Sequence, residues 1–227
     1  RREKHVFTEK PLAGEKGQYR IGLSDVPKAK EMVDAWQGQK VYFGVCFGLH
    51  ASPNVQRVRE VIRSGALGEF KHVQARAFQG TWNHLIDLVR FLCGDVAEVF
   101  AYSDDDELGN KACSLKFVNG AVGTIATSNN MDVQFQVKWL GEEGEATIDN
   151  ISGTATWCSR GARDMTEWSE TNQLIRRDYG SIFDGLIEEF VACVREGRPF
   201  VADGWAGLRH VEIDGAITES IETGKAI

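Results

Sequence analysis

At 227 residues, with 42% hydrophobic and 26% charged side chains, the chain has the composition of an ordinary globular protein of one large or two small domains. Its formal net charge of -7 argues against a nucleic-acid partner, which needs a basic face, and no apolar run reaches the roughly 18–20 residues of a membrane span. The five cysteines are widely spaced with no Cys-x-x-Cys, so free buried thiols in a reducing cytoplasm are expected rather than a zinc or disulfide framework.

In chain order, Val6 and Phe7 read as the end of a buried strand that Pro11 cannot continue, which offers Lys10 at a strand end, where open α/β sheets bind ligands. Gly14 to Gly22 is polar and glycine-rich and reads as a loop. Ser24-Asp25-Val26-Pro27 offers a cap with proline near the first helical position, and the helix should run to about Trp36. Lys40 to Phe47 suits a second strand of a parallel sheet. Val55, Val58, Val61 and Ile62 then recur at helical spacing, with Gly65 as the stop.

From Val96 the period changes to two. Asn119-Gly120 is a tight-turn signal between two strand-like runs, and Val133, Phe135, Val137 and Trp139 alternate with polar residues, so a mainly antiparallel sheet with one wet face is expected. Lys111 reads as part of a polar turn ahead of the Ser114 to Phe117 strand. Asp104 to Glu107 has neither the histidine nor the spaced glycine of a metal loop and reads as a solvated turn; no metal is expected. Phe183, Leu186, Ile187, Phe190, Val191 and Val194 form a helical stripe stopped by Gly197 and Pro199.

Several ordered motifs share one resemblance. Glu9-Lys10-Pro11 after a strand, Gly65-Ala66-Leu67-Gly68-Glu69, the helix His84-Leu85-Ile86-Asp87 followed by Gly94-Asp95, the hairpin Phe117 to Ala121, the turn Gly141-Glu142-Glu143-Gly144, and the helices within Phe190 to Pro199 and Gly204 to Gly224 resemble the Gfo/Idh/MocA (glucose-fructose oxidoreductase and inositol dehydrogenase) family from near the first residue to the last. The resemblance implies the remnant of a Rossmann-type parallel sheet over 1–47, an α+β substrate and oligomerisation domain over 48–200 with a mainly antiparallel open sheet, and a closing helix over 201–227 that packs back on the nucleotide domain. No Gly-x-Gly-x-x-Gly follows a strand, and Gly14, Gly17 and Gly22 are too far apart to serve, so most of the dinucleotide site is expected to lie outside these residues. Residues are likewise expected to be absent near Gly80-Thr81, since the family spends more chain between its strand and its helix there.

Hydride transfer at a carbinol needs a group to take or supply the hydroxyl proton and a donor to favour the developing alkoxide. By resemblance, Lys10 and His84 take these catalytic roles, Glu9, Lys10 and Pro11 line the nicotinamide, and His50, Trp82, Asn83 and Asp87 bind or orient the substrate. For Trp82, stacking on a sugar ring and core packing remain alternatives, and for His50, a substrate contact and a surface-loop position. Asp87, three residues after His84, is placed to orient it or to play a structural part. Two departures stand out: Gly80 takes the place of an acid four positions before His84, and Phe47-Gly48-Leu49-His50 replaces the family's arginine-containing turn. The implied function is NAD- or NADP-dependent oxidation or reduction of a sugar, polyol or related hydroxy compound by a cytoplasmic homodimer or homotetramer, the chain by itself being inactive. The alternatives are an NAD-dependent glycoside hydrolase of the same fold and a non-catalytic sugar-binding or assembly module.

Overall fold

A computed structural model describes residues 4–104, 109–129, 134–149, 153–162, 164–169 and 179–227. Two hydrophobic cores organise them. The smaller forms around a parallel pair, β1 (Val6–Thr8) and β2 (Phe43–Val45), with Val6 opposite Phe43. Between them runs α1 (Val26–Trp36), with proline in its first turn, as its sequence predicts. Ala29 and Val33, one turn apart, are its buried residues. β2 is shorter than the run from Lys40 to Phe47, because after Val45 the chain turns into a 3-10 segment, Gly48–Ala51. α2 (Pro53–Arg63) follows, burying Val55 and Val58, and Gly65 ends the turn at φ 77°, a conformation glycine adopts without strain.

The second unit is an eight-stranded sheet. Its strands are β3 (Phe70–Phe78), β4 (Val96–Ser103), β5 (Lys111–Phe117), β6 (Val122–Ser128), β7 (Phe135–Gly141), β8 (Gly144–Asp149), β9 (Thr154–Ser159) and β10 (Thr166–Ser169), in the order β10-β9-β8-β7-β3-β6-β5-β4. Every pairing is antiparallel except β3 with β6. At that parallel contact Val73 lies opposite Gly123, where an added Cβ would stand 2.3 Å from Val73 Cγ1, so glycine is what lets the two strands meet. Phe135, Val137 and Trp139 bury one face of β7 as the alternation predicts; Val133 lies outside the described residues, as do 105–108 of the acidic run.

β3 passes into α3 (Trp82–Cys93) through a three-residue 3-10 turn, Gln79–Thr81, in which the Thr81 hydroxyl donates to the Phe78 carbonyl at 3.0 Å. α3, α2 and the buried face of the sheet form the larger core, around Trp82, Leu88, Phe117, Phe135 and Trp139. The last two helices are α4 (Tyr179–Glu196) and α5 (Gly204–Thr223). Asp203 caps α5 by accepting from the Ala206 amide at 3.0 Å, and Gly224 closes it at φ 65°. Beyond it, Ile227 and Val99 exchange two backbone hydrogen bonds of 2.9 and 3.0 Å, which covers the free edge of β4. The last helix, α5, packs Ala206, Leu208 and Val211 into the smaller core. α4 returns with it, since Leu186, Phe190 and Cys193 pack with Phe43, Val45 and Val211 there.

Candidate active site

The site lies where the two cores meet. Lys10 stands two residues beyond the end of β1, and its peptide bond to Pro11 is cis. Its ammonium donates to the Gln18 side-chain oxygen at 3.0 Å. Burial lowers its pKa, opposed by the nearby Glu9 and Cys46. Cys46 itself is pushed up to about 12, chiefly by burial and then by Glu9, so it stays a thiol. Glu9 is exposed and Pro11 half-buried.

α3 supplies the other half. It is buried nearly throughout, and Asn83, His84 and Asp87 are polar side chains enclosed among Leu85, Ile86, Leu88 and Val89. The Asn83 amide donates to the Gln18 backbone carbonyl at 2.9 Å, while its side-chain oxygen is buried without a partner. Burial, and after it the charge of Lys10, push His84 down to about 3, with Asp87 opposing; His84 is therefore neutral at physiological pH, and its Nδ1 has no hydrogen-bond partner. Leaving such atoms unpaired costs about 1–3 kcal/mol each, which marks the place as one that favours a ligand.

Asp87 serves a different neighbour from the one expected. Its Oδ2 lies 2.6 Å from Nε2 of His50, and its Oδ1 3.7 Å from Arg90, with no hydrogen bond to His84. Burial raises the Asp87 pKa, but His50 and Arg90 outweigh it and hold the carboxyl below its ordinary range. His50 is no surface residue: it is 5% exposed, stacks on Phe91 at 3.9 Å, and lines a cavity of about 330 Å³ with Arg59, Leu186 and Phe200 rather than with Lys10 or His84. Asp87 thus acts on His84 through its field alone, raising its basicity.

Trp82 is 1% exposed and donates its indole N–H to Asp214 of α5 at 2.9 Å, so it packs in the core and presents no ring to a sugar. Lys111 is likewise not on a polar turn. It is the first residue of β5, almost wholly buried, with its ammonium 3.1 Å from the Tyr19 carbonyl, 3.8 Å from Asp214 Oδ1 and 5.1 Å above the Trp82 ring. The alternation Lys111, Cys113, Leu115, Phe117 on the buried face already held that signal. His210 and Asp214, one turn apart on α5 and fully buried, carried none, because α5 is buried on most sides. At position 80 an added Cβ would meet the Phe78 ring at 2.5 Å, so an acidic side chain there requires that ring to turn.

The chain's sequence matches the family described as "Oxidoreductase family, C-terminal alpha/beta domain" over residues 77–227. No curated protein sequence matches it. Among solved structures, levoglucosan dehydrogenase in complex with NADH and levoglucosan superposes with a TM-score of 0.84 at 19% identity, covering 98% of this chain and 73% of the other. An oxidoreductase from Agrobacterium radiobacter in complex with NAD+, L-tartaric acid and magnesium gives 0.80 at 18% identity over 98% and 72%. The WlbA dehydrogenase from Bordetella pertussis, with NADH and UDP-GlcNAcA, gives 0.74 at 21% identity over 98% and 72%. These likenesses concern the fold, a small parallel sheet beside a large, mostly antiparallel one.

Proposed function

Since the chain belongs to the Gfo/Idh/MocA oxidoreductase family, whose C-terminal α/β domain spans residues 77–227, we propose that it serves hydride transfer between NAD or NADP and a sugar, polyol or related hydroxy compound. The observation that carries this reading is the meeting of a half-buried lysine with a neutral, buried histidine whose Nδ1 lacks a partner, at the seam between the two cores. Glu9, Lys10 and Pro11 would hold a nicotinamide, which would supply or accept the hydride. The residues present fit that end of the cofactor: the Lys10 ammonium is anchored at a strand end and backed by half-buried Pro11. Among the described residues, no strand-to-helix turn carries the glycine pattern that cradles a pyrophosphate, so tight dinucleotide binding by these residues alone is not expected.

In the direction of oxidation, Lys10 donates to the substrate oxygen and favours the charge that develops there. The hydroxyl proton passes to His84 Nδ1, and the Asp87 field stabilises the imidazolium that forms. Asp87 remains ionised because His50 and Arg90 hold it so. Burial of α3 keeps bulk water from the exchange.

The sheet supplies a candidate subunit contact. Tyr102 and Val122 are 65% and 51% exposed on β4 and β6, and a homodimer or homotetramer through this sheet is part of the proposal, to be checked by sedimentation. The functional test is to incubate the protein with NAD or NADP and a panel of sugars, polyols and their glycosides. Net NADH or NADPH formation supports the dehydrogenase. Cleaved glycoside without net cofactor turnover supports the hydrolase alternative, and sugar binding with neither supports the non-catalytic module.

A further inference from the structure

The polar loop between α1 and the Glu9-Lys10-Pro11 turn does more than connect. Its ends are pinned to one side chain: Asp25 accepts from the Glu15 amide at 2.9 Å and from the Gly22 amide at 3.0 Å. Between these pins, residues 17–20 lie across the site. The Gln18 side chain takes the Lys10 ammonium, the Gln18 carbonyl takes the Asn83 amide, and the Tyr19 carbonyl takes the Lys111 ammonium. Three donors from three places, the turn after β1, the first turn of α3 and the start of β5, therefore converge on two consecutive residues.

Every atom the loop presents there is an acceptor, an amide or peptide oxygen. It satisfies the donors and nothing else: Asn83 Oδ1 and His84 Nδ1 remain buried and unpaired. A hydroxyl both accepts and donates. Neighbouring hydroxyls on one carbon chain can accept from Lys10, Asn83 and Lys111 and still donate to Asn83 Oδ1 and His84 Nδ1, so a polyhydroxylated ligand satisfies this set of groups more completely than the loop does.

We propose that residues 17–20 form a strap that holds the place of the substrate, and that Asn83 and Lys111 read adjacent hydroxyl groups of a sugar or polyol once the strap swings out. Lys111 is then a specificity-determining residue, held in position by Asp214 and the Trp82 ring. Gly17, at φ 90°, is suited to be the hinge, and the Asp25 pins let the middle of the loop move while its ends stay in place. This rests on the hydroxy-compound reading of the site and adds to it the groups that recognise the substrate.

The test is hydrogen-exchange mass spectrometry of the whole protein with and without saturating sugars and polyols, with NAD present and absent, on wild type, Gln18→Ala and Lys111→Met. A ligand should slow exchange around residues 82–84 and 111–113 and speed it at 17–20. Gln18→Ala, which frees Lys10 from its loop partner, should tighten ligand binding by about 2- to 10-fold, the worth of one net hydrogen bond. Lys111→Met should weaken it by about 10-fold; if that variant fails to fold, the Gln18→Ala arm decides. Protection at 82–84 and 111–113 with exchange at 17–20 unchanged would overturn the strap and leave the proposed function standing. No change anywhere with any compound, in wild type and Gln18→Ala alike, would overturn the substrate class and the strap together.

Discussion

Lys10 and Lys111 both bond to the same short loop, yet their surroundings differ in kind. Lys111 is enclosed with an acid: Asp214 lies 3.8 Å away, and the Trp82 ring lies beneath the ammonium. Lys10 bonds to a neutral amide, its acidic neighbour Glu9 is exposed, and burial draws its pKa down. A cation compensated inside the fold is held in place by it. One compensated mainly by a displaceable loop side chain keeps more of its interaction free energy for a ligand, which suits Lys10 to chemistry and Lys111, fixed in one place, to reading a substrate hydroxyl.

The largest stability effect should come from the Lys111 side. Trp82→Ala removes a buried indole and leaves Asp214 short of a donor, so a loss of about 3–5 kcal/mol is expected in denaturant unfolding. Lys111→Met should cost about 3 kcal/mol by leaving Asp214 as an uncompensated buried carboxylate, and adding Asp214→Asn should recover part of that loss. If Lys111→Met is as stable as wild type, the contrast between the two lysines collapses.

A smaller effect tests the α3 side through pH. His84 has a folded pKa of about 3, below its ordinary value of 6.5, and His210 is lowered as well, both chiefly by burial. Below 6.5 the unfolded chain takes up protons that the folded chain refuses, so the stability His84 contributes is fully present above that pH and is lost as pH falls toward 3, and His210 acts in the same direction. The slope should reach about 1.4 kcal/mol per pH unit for His84. Replacing His84 with Gln should reduce the slope between pH 6 and about 4, and an unchanged slope would mean that His84 is protonated in the fold.

Much of the fold was legible because its signals are local. Pro27 at the start of α1, Gly65 after α2, Asn119-Gly120 between β5 and β6 and the alternation along β7 each depend on neighbours a few residues away. The parallel contact of β3 with β6 and the return of α4 to the small core are set by packing between distant segments, which no local period encodes. The site divides the same way. Lys10 and His84 stand in recognisable motifs. The partners of Asp87, the burial of Trp82 and the loop's grip on Lys111 arise only once α3, α5 and residues 17–20 have met. Lys111 was the readable exception, since it keeps step with Cys113, Leu115 and Phe117 on the buried face of β5.

The most direct measurement is steady-state turnover of NAD or NADP with sugars and polyols in the catalytically active protein, comparing wild type with Lys10→Ala and His84→Ala, with folding checked by circular dichroism. Each substitution should lower kcat by about 100-fold or more, the range typical of a positioned acid or base, while cofactor affinity changes far less. Rates near wild type for both variants on a substrate that is turned over would contradict the roles assigned to Lys10 and His84.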